Sequence, residues 1–318
     1  MKALHIVAIS CFIVGIILCS TALVLGGFDM AIFSTTKYTE GTENLSADFS
    51  NIHIETKECN IRLVATEETV CRAEYRHNIK TPLQFTVADG ALTVKIDDQR
   101  KWYDYITFFN FGNSELTLYL PARDYSAVQL TTSTGSIDIP AGFTFTDVTA
   151  HATTGNITVD SVTTAGKLTA EVSTGYVKLT GISAATLCAK ASTGRINLQD
   201  ITLTGQMDIA TTTGDVKVLR ATAQTMTAKA TTGDIVLQDV VLTGHMTLKT
   251  STGHVRIATC DAEALDIETD TGDVRGTLRS PKIFIASTDT GRKNVPQTTT
   301  GGICRITCDT GDIDISIQ

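Results

Sequence analysis

From residue 122 to the C-terminus, apolar and polar residues alternate in short runs, and the same two-residue turn ends one run and begins the next. The turn is Thr-Gly, with glycine at Gly135, Gly155, Gly175, Gly194, Gly214, Gly233, Gly253, Gly272, Gly291 and Gly311, at intervals of 19 or 20 residues. Two residues after glycine stand Ile137, Ile157, Val177, Ile196, Val216, Ile235, Val255, Val274 and Ile313; four after stand Ile139, Val159, Leu179, Leu198, Val218, Leu237, Ile257 and Ile315. The residues between them, such as Asp215 and Lys217, are polar, so each turn is followed by a strand with one apolar face. Seven and five residues before glycine, pairs such as Met207 and Ile209 or Leu248 and Met246 predict a second inward-facing strand. Seven after glycine a third apolar set appears, including Val162, Ile182, Ile201 and Val240.

A period this short marks a stacked repeat. Twenty residues are too few for a four-stranded propeller blade, which takes about twice as many. The pattern predicts an all-β fold, a parallel β-solenoid of about ten coils with strands about 4.8 Å apart and a stack of roughly 45 Å. Glycine suits the corner because it takes positive φ at no steric cost. The threonine before it is placed to stack on its equivalent in the next coil. The ninth coil departs from the pattern: Gly291 is followed by RKNVPQ, Pro296 cannot donate to a ladder, and a second Thr300-Gly301 follows. A bulge or outward loop is expected there.

Residues 34–121 predict a β-rich region that caps the first coil. NIHIETKECNIRLVA alternates strictly, Val70 to Tyr75 and Leu83 to Val87 continue the pattern, Asp89-Gly90 is a hairpin signal answered by ALTVKI, and ELTLYLP closes the region. A hairpin turning at Glu67-Glu68 would set Cys71 opposite Val64. Between these strands Trp102, Tyr103, Tyr105, Phe108, Phe109 and Phe111 crowd together. They form either an exposed ledge for a partner or a loop folded over the open end of the core.

No Asp, Glu, Lys or Arg occurs between Ala3 and Phe28, a run longer than the roughly 20 residues needed to cross a bilayer. Residues 1–33 therefore predict one N-terminal transmembrane helix, a signal anchor, with a short linker; Ser20-Thr21-Ala22 offers a cleavage site as the alternative. Lys2 precedes the run and acidic residues follow it, which keeps the N-terminus cytoplasmic and exports residues 34–318. The expected location is the cell membrane, single-pass, with the solenoid, residues 122–318, extracytoplasmic. The chain of 318 residues carries a formal net charge of −8, so nucleic acid is not an expected partner. Eight cysteines are present, none with zinc-site spacing. Cys304 and Cys308 share a strand face roughly 13 Å apart, too far to bridge. The downstream cysteines are expected to serve as small buried apolar residues.

Candidate chemistry is confined to the position after glycine. Asp215, Asp234, His254 and Asp273 fill it in four successive coils, forming an exposed row at about 4.8 Å spacing. Such spacing suits a carboxylate pair of the retaining-glycosidase kind, or a divalent cation. Against both, the short connections build no cleft walls, and Ser136, Asn156, Tyr176, Arg195 and Arg292 occupy the same position elsewhere. No catalytic, cofactor-binding or metal-ligating residue is predicted. The row and the aromatic cluster remain candidate partner-contact surfaces.

The apolar N-terminus, RKWYDYITFF, the strand LTLYLP and the repeated STG, TTGD and DTGD turns together resemble the bacterial putative-adhesin family over roughly residues 45 to 318. The resemblance implies a membrane-attached extracytoplasmic β-solenoid and carries over no catalytic residues. The expected function is a non-enzymatic adhesin that presents a regular face to envelope polymer, host material or a protein. The alternative is an accessory protein of cell-envelope stress signalling that acts through a membrane partner.

Overall fold

A computed structural model describes residues 12–18, 20–21, 37–45, 49–101 and 113–318. Residues 12–18 are helical, and most of the apolar run lies outside the described residues. Among the described residues no helix is long and apolar enough to cross a membrane. The described residues from 37 onward are built from strands and their turns.

The Gly214 coil shows the plan. Gln206–Thr213 runs into the glycine corner and Val216–Ala223 leaves it. The first strand pairs in parallel with the strands before Gly194 and Gly233, the second with those after them. Repeated along the stack, this makes two long parallel sheets with the core between them. Met207, Ile209, Val216 and Val218 are all buried, as are their equivalents in the neighbouring coils. Each such side chain contributes about 1.5–3 kcal/mol of apolar burial.

The second strand changes phase halfway. Val218 and Ala221 both face the core although three residues apart, and so do Leu237 and Val240. Strict alternation would send one of each pair outside. A left-handed residue six after glycine absorbs the difference: Ser161, Asp200, Arg220, Asp239 and Thr259 have φ between 51° and 56°. The third apolar set in the sequence is the far side of this bend.

The ten turn glycines have φ between 142° and 159°. They are also required for contact, since a Cβ on Gly233 would overlap the carbonyl of Gly214, and the same holds along the row. Where a buried threonine stands three before glycine, its hydroxyl closes the corner. Thr211 Oγ1 donates to the Gly194 carbonyl at 3.1 Å, and Thr250 Oγ1 to that of Gly233 at 3.0 Å.

At the N-terminal end the strands are β1 (Tyr38–Leu45), β2 (Asn51–Thr66), β3 (Cys71–Asn78), β4 (Leu83–Ala88), β5 (Ala91–Ile96) and β6 (Ser114–Pro121). Strand β2 is itself a coil. Ile52, Ile54, Glu58 and Ile61 register with Val128, Leu130, Thr134 and Ile137. Cys59 stands where the turn glycine would, with its carbonyl beneath Gly135. On its other side β2 pairs in parallel with β5 and β6. The expected hairpin between β2 and β3 does not form: β6 takes the place beside β2, and β3 runs antiparallel to β6 and to β1. The Asp89-Gly90 hairpin does form, with φ of 51° and 71° at its two central residues.

At the C-terminal end the coils are out of sequence order. The Gly272 coil pairs with the Gly311 coil, which pairs with the Gly291 coil. The last coil of the chain is therefore inserted between the eighth and ninth. The irregular coil expected from RKNVPQ is the end of the stack, with only Lys293–Asn294 left as its second strand. Cys59, Cys71, Cys188, Cys260, Cys304 and Cys308 are all buried and free.

Candidate functional site

The residue after each turn glycine points outward at the corner where the two sheets meet. Asp215, Asp234, His254 and Asp273 are brought together there in one row. Their side chains are engaged with the backbone of the next coil. Asp215 Oδ1 accepts the N–H of Asp234 at 3.0 Å, Asp234 Oδ1 that of His254 at 2.8 Å, and His254 Nδ1 that of Asp273 at 2.9 Å. Asp273 Oδ1 accepts the N–H of Asp312 at 2.9 Å, and Asp312 Oδ1 that of Arg292 at 2.8 Å. The corner turns these N–H groups away from the sheet ladders, and the short polar side chain supplies the missing acceptor.

The same device begins the stack. Asn60 Oδ1 accepts the N–H of Ser136 at 2.9 Å, and Asn156 Oδ1 that of Tyr176 at 3.1 Å. The row is interrupted at Tyr176 and Arg195. Sequence reasoning missed Asn60 and Asp312 as members. The available signal was a short polar residue after Thr-Gly, and Asn60 carried none because Cys59 replaces the glycine.

At three of these positions the carboxylate also pairs with an arginine. Asp234 pairs with Arg256, Asp273 Oδ2 with Arg275 at 2.9 Å, and Asp312 Oδ2 with Arg292 at 2.9 Å. Burial pushes the Asp234 carboxyl up, but the His254 N–H and the Arg256 guanidinium outweigh it and hold the group below the usual carboxylate range. The Arg292 backbone N–H and guanidinium hold Asp312 low in the same way. These groups are acceptors locked into structure, a poor starting point for proton transfer, which needs a carboxyl poised near the working pH. Among the described residues no group of three or more His, Cys, Asp or Glu is placed to hold a metal ion.

Trp102, Tyr103, Tyr105, Phe108 and Phe109 lie outside the described residues. Each sheet also has an outward face, and the one before the glycines carries the next candidate surface. Its margin is hydroxylated, with Ser192, Thr212 and Thr231 two residues before glycine and exposed threonines directly before it. A shallow trough of about 390 Å³ lies on this face between the coils of Gly155 and Gly233.

A family model described as Toastrack DUF4097 matches residues 49–318. No curated protein matches the chain. Among solved structures, one described as a putative adhesin from Bacteroides fragilis NCTC 9343 is 13% identical, with 88% of this chain and 97% of that chain covered and a TM-score of 0.40. One described as a putative lipid binding protein from Parabacteroides distasonis ATCC 8503 is 10% identical, with 87% and 97% covered and a TM-score of 0.44.

Proposed function

The chain belongs to the Toastrack DUF4097 family, and from that premise we propose that it is a non-enzymatic adhesive rod, anchored in the cell membrane by its N-terminal apolar run and exposed outside the cytoplasm. The observation that carries this reading is the use made of the corner row. Asp215, Asp234, His254 and Asp273 each give an acceptor to the backbone of the next coil. The most reactive-looking constellation in the sequence is committed to keeping the coils in register. A surface kept regular over so many coils suits recognition of an extended, repetitive partner, such as an envelope polymer or host matrix.

The test is co-sedimentation of the purified full chain with isolated cell envelopes and, separately, with extracellular matrix. Saturable retention by either supports adhesion. No retention by both sinks it, and a specific protein crosslinked to the chain in intact membranes would then favour the accessory role in envelope-stress signalling.

A further inference from the structure

Four residues before each glycine, one outward row runs along the first sheet. In stack order it reads His151, Glu171, Lys190, Ala210, Lys229, Lys249 and Glu268, each in register with the next. Neighbours are about 4.8 Å apart. Glu171 pairs with Lys190 at 3.0 Å and Glu268 with Lys249 at 2.6 Å. Lys229 has Lys249 on one side and Ala210 on the other, and makes no ion pair among the described residues. Like charges in adjacent register repel, so this ammonium is left uncompensated.

Ala210 lowers the row at the place where compensation is missing. The trough of about 390 Å³ opens there, with the Lys190–Glu171 pair and His151 on one side, Lys229 on the other, and Ser192, Thr212 and Thr231 along its margin, so an incoming acid group meets Lys229 directly and shares Lys190 with Glu171. The nearest acid on the Ala210 strand, Asp208, is held by the side-chain amide of Gln206 at 2.8 and 2.9 Å. No Phe, Tyr or Trp lines the trough. A stacked sugar ring or base would find no platform, and the available recognition is charge and hydrogen bonding.

We infer that this trough binds the acid groups of an anionic polysaccharide, one group seated over Ala210 between Lys190 and Lys229. The inference rests on the adhesive reading and names its ligand class. Lys190 and Lys229 are two strand steps, about 9.6 Å, apart and Lys249 is one step further, so a chain lying along the stack meets successive lysines. The hydroxyls of Ser192, Thr212 and Thr231 supply the neutral donors. Because the whole chain carries a net charge of −8, long-range attraction is absent. Capture is by short-range contact and weakens with salt.

The test titrates the full chain with polygalacturonate, dextran sulfate and neutral dextran at low and high salt. Polygalacturonate or dextran sulfate is expected to bind and dextran to fail, and the preferred polyanion identifies carboxylate or sulfate as the recognised acid. Lys229→Gln is expected to weaken binding about fivefold, and Ala210→Asp, which fills the floor with a carboxylate, to abolish it. Lys217→Gln, on the outward face of the other sheet, is expected to change nothing. Thermal melts check that each variant folds, and Lys229→Gln carries the test if Ala210→Asp does not. Retention of no polyanion, or wild-type binding by both trough variants, overturns the proposal. Envelope or matrix retention that survives Ala210→Asp overturns the trough and leaves adhesion standing; polyanion binding without envelope or matrix retention does the reverse.

Discussion

The backbone N–H of Asp273 donates to Nδ1 of His254 at 2.9 Å, so the ring nitrogen facing the next coil carries no proton. The imidazole takes the place that a carboxylate holds in the coils on either side. A histidine among aspartates looks like a catalytic pairing in a linear sequence. In three dimensions it is one more acceptor in a chain of backbone contacts.

Removing one link should cost stability. Asp234→Ala deprives the His254 N–H of its acceptor and Arg256 of its partner. The expected loss is about 1 kcal/mol, with a smaller loss for Asp234→Asn, which keeps an oxygen at the same reach. Denaturant unfolding of the two variants measures this, and equal stability of Asp234→Ala and the parent would refute the structural role.

Acid should loosen the stack. The carboxyls of Asp234, Asp261 and Asp312 are all held low in the folded chain. A depressed folded value adds stability that is fully present above the unfolded value, about 3.9, and is lost as pH falls through the folded one. The denaturation midpoint is expected to stay level from pH 7 to about 5 and to fall steadily below about 4. A midpoint unchanged down to about pH 2 would contradict these assignments.

Two glycines separate backbone strain from close approach. Gly90 has φ 71° and open space where a Cβ would stand, whereas Gly233 has φ 146° and the Gly214 carbonyl in that space. Gly90→Ala should cost about 1 kcal/mol and Gly233→Ala about 3 kcal/mol or more. Comparable melting temperatures for the two variants would show that the corner can open to admit a side chain.

The buried thiols should be inert in the folded chain. Burial pushes Cys59 and Cys304 up to about 12 and Cys260 up to about 11, and it also raises Cys188. Thiolate is the reactive form. Alkylation at pH 8 followed by peptide mass spectrometry is expected to modify none of these four until denaturant is added. Rapid native labelling of Cys59 or Cys304 would place them outside the core.

Coil order at the C-terminal end can be fixed by crosslinking. Thr307 registers with Glu268 on one side and Ser287 on the other. Cysteine pairs at 268/307 and 287/307 are expected to oxidise readily, and the pair at 268/287 to fail, since a whole coil lies between them. Efficient bridging of 268/287 would restore simple sequential stacking.

The repeat was legible because each signal in it is local. Glycine needs its own φ, and alternation needs only its own strand, so the turn positions and inward residues from Ile137 to Ile315 follow from the sequence. Neighbour choice is not local. Nothing in NIRLVATEETVCRAEY says that β6 will come between β2 and β3, and nothing in ICRITC says that its coil will enter between two earlier ones. Cys59 hid a coil by occupying a glycine's place. The bend six residues after glycine was hidden for a different reason: Ser161, Arg220, Asp239 and Thr259 share a conformation but not one side-chain chemistry. The candidate row was located correctly as a row, while its engagement with the next coil's N–H groups depended on a corner geometry that spacing alone does not carry.

The inserted last coil bears on how the rod responds to tension. A chain that ended at its own stack terminus would peel when pulled from the C-terminus, its hydrogen bonds breaking one after another along a free edge. Here Ile313 and Asp314 lie between strands of two other coils, bonded to Val274 and Arg275 on one side and Lys293–Asn294 on the other, while Ile315–Ile317 pair with Gly276–Leu278 alone. A load applied at Gln318 strips those three residues from one neighbour first and then meets Ile313, Asp314 and the strand Ile303–Thr310, which are held from both sides, so bonds to two coils must yield together before the rod opens further.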